Sequence, residues 1–132
     1  MLNRFQILSL IILSLLFWLA AALYVRLAPG ALTDPTRCAI AFATTMPVGW
    51  LSVVLTRRVG RLSTEQLIPG VAVVGAAAMM IDGVALRWMP GIYGGNDTVV
   101  RLGAAWLLWG YGTSLAIALV MAARARRPVG SA

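Results

Sequence analysis

The sequence predicts an all-α integral membrane protein: one bundle of four transmembrane helices, short loops, and both termini in the cytoplasm. Three observations predict it. The 132 residues are 61% hydrophobic and only 11% charged, against about 45–50% and about 25% in soluble domains. Four apolar runs each approach the roughly 20 residues that a helix needs to cross the hydrocarbon core. The arginines divide unequally between the two ends of those runs, as topology signals do. The length suits a single domain, residues 1–132.

The first span is 7–25, bounded by Arg4 and Arg26. Its apolar run exceeds the roughly 7–15 residues of a signal-peptide core, so it is expected to stay attached. Loop one carries Pro29 and Gly30. Asp34-Pro35 then opens a helix, because Asp accepts from free amides and Pro needs no N–H at the first helical position. The second span is 38–55, stopped by Thr56-Arg57-Arg58. Pro47 inside it removes a backbone hydrogen bond and predicts a kink, with Thr44 and Thr45 near enough to compensate. Ser63 and Gln66 form a capping-box pattern before the third span, 67–86. Loop three is the longest and holds Trp88, Pro90, Gly91, Tyr93, Gly94 and Gly95. Asp97 is expected to cap the fourth span, 99–121. Arg124, Arg126 and Arg127 close it, and 124–132 reads as a basic, flexible cytoplasmic tail.

Arg4, Arg57, Arg58, Arg61, Arg124, Arg126 and Arg127 fall on one side, assigned to the cytoplasm; Arg26, Arg37, Arg87 and Arg101 fall on the other. Every one of the eleven basic residues is Arg and the net charge is +7. A nucleic-acid partner is not expected, since the arginines cap apolar runs and form no basic stripe with interleaved aromatics. The Arg-, Ala- and Gly-rich usage suggests a bacterial inner-membrane protein. The chain has no histidine, one cysteine and four acidic residues. This inventory supplies no metal cluster, no cofactor site and no catalytic pair, so no enzyme is expected.

Lipid removes the hydrophobic drive between helices, so small residues mark where backbones approach. Ala41, Thr45 and Gly49 give span two such a face; Gly110, Ser114, Ala118 and Ala122 give one to span four. They serve packing within the bundle or contact with a second copy or a partner subunit. Span three is small on several faces and reads as central, and Leu/Ile-rich span one as lipid-exposed. Trp106, Trp109 and Tyr111 read as aromatic packing against span three, or as the wall of a pocket for a hydrophobic ligand.

Asp82 is the expensive residue, since an acid at the centre of a span costs about 2.5–3.5 kcal/mol on insertion scales. If the third and fourth spans fold as a hairpin about Ile92, Arg101 lies at the depth of Asp82, and Arg87 is five residues on. An intramembrane ion pair of Asp82 with Arg101 or Arg87 is therefore expected, with proton or cation handling by Asp82 as the rival reading.

Asp82-Gly83, Trp88-Met89-Pro90, Tyr93-Gly94 and the run Ala104-Ala105-Trp106-Leu107-Leu108-Trp109-Gly110 resemble a family of small four-span bacterial inner-membrane proteins classed as a domain of unknown function. The resemblance implies the four-span fold and no activity. Small multidrug transporters carry an acid in span one, and fluoride channels a polar Gly/Thr/Ser/Phe segment in span three; this chain has neither. Two functions follow as expectations. One is a non-catalytic accessory, assembly or stabilising subunit, whose partners are the lipid bilayer and a membrane protein or a second copy. The other is a small proton- or cation-linked transporter working through Asp82.

Overall fold

The computed structural model describes residues 1–128 and 130. Among them the chain is all helical: α1 (Arg4–Leu27), a single-turn α2 (Gly30–Thr33), α3 (Pro35–Val59), α4 (Leu67–Trp88), a 3-10 turn (Pro90–Ile92) and α5 (Asp97–Ala125). Four helices, α1, α3, α4 and α5, are long and apolar enough to cross a membrane. Each covers its predicted span and extends past it, because caps and terminal arginines continue the helix beyond the apolar run.

The helix starts follow from side chains that satisfy free amides. Asn3 and Gln6 form a reciprocal capping box on α1. Asp34 accepts from the Arg37 N–H at 2.8 Å, with Pro35 first in α3 as expected. Ser63 and Gln66 exchange the predicted pair of bonds, at 3.1 and 3.3 Å, in the turn that leads into α4. The α5 cap differs from expectation: Asn96 accepts from the Thr98 N–H at 2.8 Å, and Asp97 is the first helical residue, where its charge favours the helix dipole. Loop one is also not bare, since α2 folds there and buries Leu32. Of the predicted tail 124–132, α5 takes in Arg124 and Ala125, and Val129, Ser131 and Ala132 lie outside the described residues.

α1 packs mainly on α4, α4 on α5, and α5 on α3; α1 and α3, which would close the ring, share little surface. Gln6, Leu10, Leu13, Ser14, Ala22 and Val25 form the buried stripe of α1, at spacings that keep them on one helical face. The opposite face exposes Leu8, Ile12, Leu15, Leu16, Leu19 and Leu23, a continuous apolar surface. Of the small residues in α4, Gly70 and Ala78 are buried, whereas Ala76 and Gly83 are exposed. The core is consequently divided. One cluster, around Val25, Ala85, Tyr93 and Val99, sits at the loop-three end. Two more, around Val53, Val71 and Ala118 and around Leu10, Leu62 and Val74, sit at the end that carries both termini.

Polar side chains stitch the helices where apolar contact alone specifies little. Ser14, fully buried, donates to the Val74 carbonyl at 3.0 Å and ties α1 to α4. At the termini end Gln6 donates to the Gly60 carbonyl at 2.9 Å. α3 runs unbroken through Pro47. Thr44 and Thr45 donate back to the Ala41 and Phe42 carbonyls. From α5, Trp106 donates to the Ala41 carbonyl at 3.2 Å and Trp109 to that of Phe42 at 3.0 Å. Pro47 frees the Ala43 carbonyl, four residues back, whereas the threonines and indoles engage those of Ala41 and Phe42, so they tie α3 to itself and to α5 one turn before the proline rather than replacing its missing bond.

Candidate functional site

Asp82 lies six residues before the end of α4 and is 4% exposed. The expected ion pair does not form. Among the described residues Asp82 has no ionic partner; Arg101 and Arg87 are both exposed, and the Arg87 guanidinium lies over the Trp88 ring, 5.7 Å from its centroid. Two tyrosines take the place of the arginines. Tyr93 donates its hydroxyl to one carboxylate oxygen and Tyr111 donates to the other. Trp18 of α1 donates in turn to the Tyr93 hydroxyl at 3.0 Å. One carboxylate therefore joins α1, α4, loop three and α5.

Local geometry brings these groups together. The 3-10 turn ends with the Tyr93 N–H on the Pro90 carbonyl at 3.0 Å. Gly94 follows at φ +152°, a conformation that side-chain-bearing residues avoid, and the chain reverses there with Tyr93 turned fully inward. Tyr111 is half-buried on α5. Helical side chains lean toward their own N-terminus. α4 and α5 are antiparallel, so the Asp82 carboxylate and the Tyr111 phenol lean toward each other. Burial first, then the hydrogen bond to Asp82, push the Tyr93 phenol above its ordinary pKa of 10.0, so it remains a donor into alkaline pH.

A hairpin symmetric about Ile92 matches the depths of the Asp82 and Arg101 α-carbons, but a side chain as long as tyrosine reaches Asp82 from ten residues deeper in α5. From the sequence, Tyr93 has only a place in loop three, and Tyr111 is aromatic packing or a pocket wall; neither reading pairs it with Asp82. The signal that could have found them is that a buried Tyr or Trp needs a partner for its polar atom, and Asp82 is the one carboxylate in the apolar part of the third and fourth spans.

The second feature is a cavity of about 500 Å³ at mid-height, between the core clusters of the two ends. All four long helices line it: Phe17 and Tyr24 from α1, Thr45 and Gly49 from α3, Gly75 and Ala78 from α4, Trp106, Gly110 and Tyr111 from α5. Its volume falls within the roughly 300–1,000 Å³ of small-ligand pockets. The α3 hydroxyls on its wall are engaged within their own helix, Ser52 on the Val48 carbonyl at 2.9 Å and Thr56 on that of Ser52 at 2.8 Å. The wall is therefore apolar in effect. Tyr111 belongs to both features, with its ring on the cavity and its hydroxyl on Asp82. Trp106 and Trp109, expected on span three, pack instead on α3, where Trp109 also donates to Thr45 at 2.9 Å.

The predicted packing faces meet one another. Ala41, Thr45 and Gly49 are buried on α3, which packs on α5. A Cβ on Gly49 would come within 3.2 Å of the Ser114 hydroxyl, and Ala118 is fully buried beside Val53. Gly110 is the exception: a Cβ there would meet nothing within 4 Å, because the residue borders the cavity. Among the described residues no three metal-ligating side chains come together. Comparison of the chain with protein-family models, with curated proteins and with solved structures finds no match.

Proposed function

We propose that the four long helices cross a bacterial inner membrane with both termini in the cytoplasm, and that the chain serves as a non-catalytic accessory, assembly or stabilising subunit of a membrane complex. The orientation is supported by the excess of exposed arginines at the termini end, seven positions against four at the other. The observation that carries the role is the state of Asp82. The one buried acid among the described residues has both oxygens engaged by Tyr93 and Tyr111, and the assembly holds α1, α4, loop three and α5 in register. A costly residue used to fix helix positions suits a protein whose task is to present a defined surface. The exposed Leu and Ile of α1 supply such a surface to lipid or to another membrane protein.

The test is affinity purification from the native membrane in a mild detergent through a C-terminal tag. A stoichiometric membrane-protein partner is expected, and recovery of this chain alone counts against the role. Reporter fusions at each terminus check the orientation separately. The second reading, a proton- or cation-linked transporter, draws on Tyr111, which connects Asp82 to the cavity wall. In reconstituted vesicles carrying a pH-sensitive dye, Asp82→Asn would then abolish substrate-driven proton movement; unchanged movement removes the idea.

A further inference from the structure

At the termini end α3 does not stop in the usual way. Helices commonly end with a glycine in the left-handed conformation just past the last turn, where a side chain is disfavoured. Here the glycine comes one residue early. Gly60 has helical φ and ψ of −75° and −7°, and Arg61 takes the left-handed place at φ 47°. The hydrogen bonds are those of the usual motif, from the Leu62 N–H to the Arg57 carbonyl at 2.9 Å and from the Arg61 N–H to that of Arg58 at 3.2 Å. Packing explains Gly60, since a Cβ there would lie 2.9 Å from Leu62 and 3.1 Å from Leu10. The left-handed turn at Arg61 sets buried Leu62 against Leu10 and Gly70 in the core. The same turn leaves the Arg61 side chain itself exposed, outside that core.

That side chain borders a cleft of about 390 Å³ lined by Arg57, Arg58 and Arg61, with Val54, Leu62 and Met121 as its apolar part. Among the described residues no carboxylate forms an ion pair with any of the three arginines. Guanidinium groups match phosphate oxygens in charge and in planar two-point geometry. The apolar residues continue the cleft along α3 and α5, toward the middle of the long helices.

We propose that this cleft binds the phosphate of an anionic phospholipid, with the start of an acyl chain lying against Val54 and Met121. The proposal rests on the membrane reading above, under which the cleft lies at headgroup level. Arg57 and Arg58 supply charge from the last turn of α3, and the left-handed backbone at Arg61 brings a third guanidinium to the same cleft.

The experiment is a calorimetric titration of the full chain in dodecyl maltoside with short-chain phosphatidylglycerol, phosphatidylcholine or inorganic phosphate. Saturable binding of phosphatidylglycerol is expected, with neither of the other two binding at matched concentration. Near an anionic surface each arginine contributes about fivefold in affinity, so Arg57→Gln/Arg58→Gln/Arg61→Gln should lose on the order of a hundredfold. Arg124→Gln/Arg126→Gln/Arg127→Gln, which removes the same charge at the same end, should lose less than about fivefold. Arg61→Gly supplies a second line: it relieves the backbone and removes the guanidinium, so its melting temperature should rise while phosphatidylglycerol affinity falls about fivefold. Equal losses in the two Gln variants would mean diffuse attraction and overturn the site. So would an unaffected cleft variant, or inorganic phosphate binding as tightly as the lipid. Membrane fractionation separates the two levels. A chain absent from the membrane fraction defeats the membrane reading, whereas a membrane-borne chain indifferent to phosphatidylglycerol defeats only the cleft.

Discussion

Changing Tyr111 to Phe keeps the ring and deletes one hydroxyl, which isolates the α5 share of the Asp82 assembly. One carboxylate oxygen of a residue that is 4% exposed then loses its donor. Leaving a buried polar group unsatisfied costs about 1–3 kcal/mol. Side-chain hydrogen bonds between membrane helices average about 0.6 kcal/mol, with a maximum of about 1.7, because the unfolded chain in lipid also finds partners. The Tyr111–Asp82 bond belongs near the upper end, since its acceptor is a carboxylate with two donors in all. A double-mutant cycle of Tyr111→Phe with Asp82→Ala should therefore give a coupling of about 1.5 kcal/mol, roughly tenfold in the unfolding equilibrium. The parallel cycle of Arg101→Ala with Asp82→Ala should give less than about 0.5 kcal/mol, as expected for residues without a shared contact. Unfolding in mixed micelles followed by far-UV circular dichroism reads both cycles. A large Arg101 coupling with a negligible Tyr111 coupling would refute the tyrosine assembly and restore the ion pair.

Three further outcomes follow from the same geometry. Gly49→Ala should lower thermal stability by about 1 kcal/mol, since its Cβ must displace Ser114 and Ile117, while Gly110→Ala, with open space around it, should be neutral or stabilising by up to about 1 kcal/mol; detergent melting curves compare the pair. Trp109→Phe should cost about 1 kcal/mol through loss of its bonds to the Phe42 carbonyl and Thr45, and Trp88→Phe, at an exposed position, should cost much less in the same assay. Because the folded state raises the Tyr93 pKa above 10.0, stability should hold level below that pH and fall as pH rises past it, where only the unfolded chain deprotonates; an alkaline titration should show a shallower fall in Tyr93→Phe.

Four long helices and most of their ends could be read from the chain because apolar length and capping chemistry are local properties. Asp34 and Pro35 act within four residues of themselves as expected; Ser63 and Gln66 make their predicted pair of bonds one turn ahead of α4, and Gln66 also reaches Gln6 and the Met1 carbonyl. The close approach of Gly49 to α5 was likewise foreseeable from spacing on one helix face. The partners of Asp82 were not, because they depend on how far α5 slides past α4 and on how loop three folds. A turn of Pro90–Ile92 and a positive φ at Gly94 decide where Tyr93 points. An aromatic residue with a polar tip also reads the same in sequence whether it anchors at an interface or bonds a buried acid.

Glycine in a membrane bundle is usually explained by close packing, and Gly49 fits that account. Gly75 and Gly110 do not, since a Cβ on the first would meet only the end of Met79 at 3.9 Å and on the second nothing within 4 Å. Both border the mid-height cavity instead. The space opens past exposed Val48, Met79 and Leu115, so its small lining residues either admit an apolar occupant such as an acyl chain or have no use. Gly110→Leu separates the two. The side chain has room to enter the cavity, and better helix propensity together with new contacts should stabilise the bundle by about 1–2 kcal/mol. If the space has no use, recovery of the partner complex from the membrane should match the unmodified chain. If an apolar molecule occupies the space in the working protein, recovery should fall while the melting temperature rises. That divergence is the expected result. A drop in stability would show that the cavity lining cannot admit four carbons, and the argument from empty space would fail.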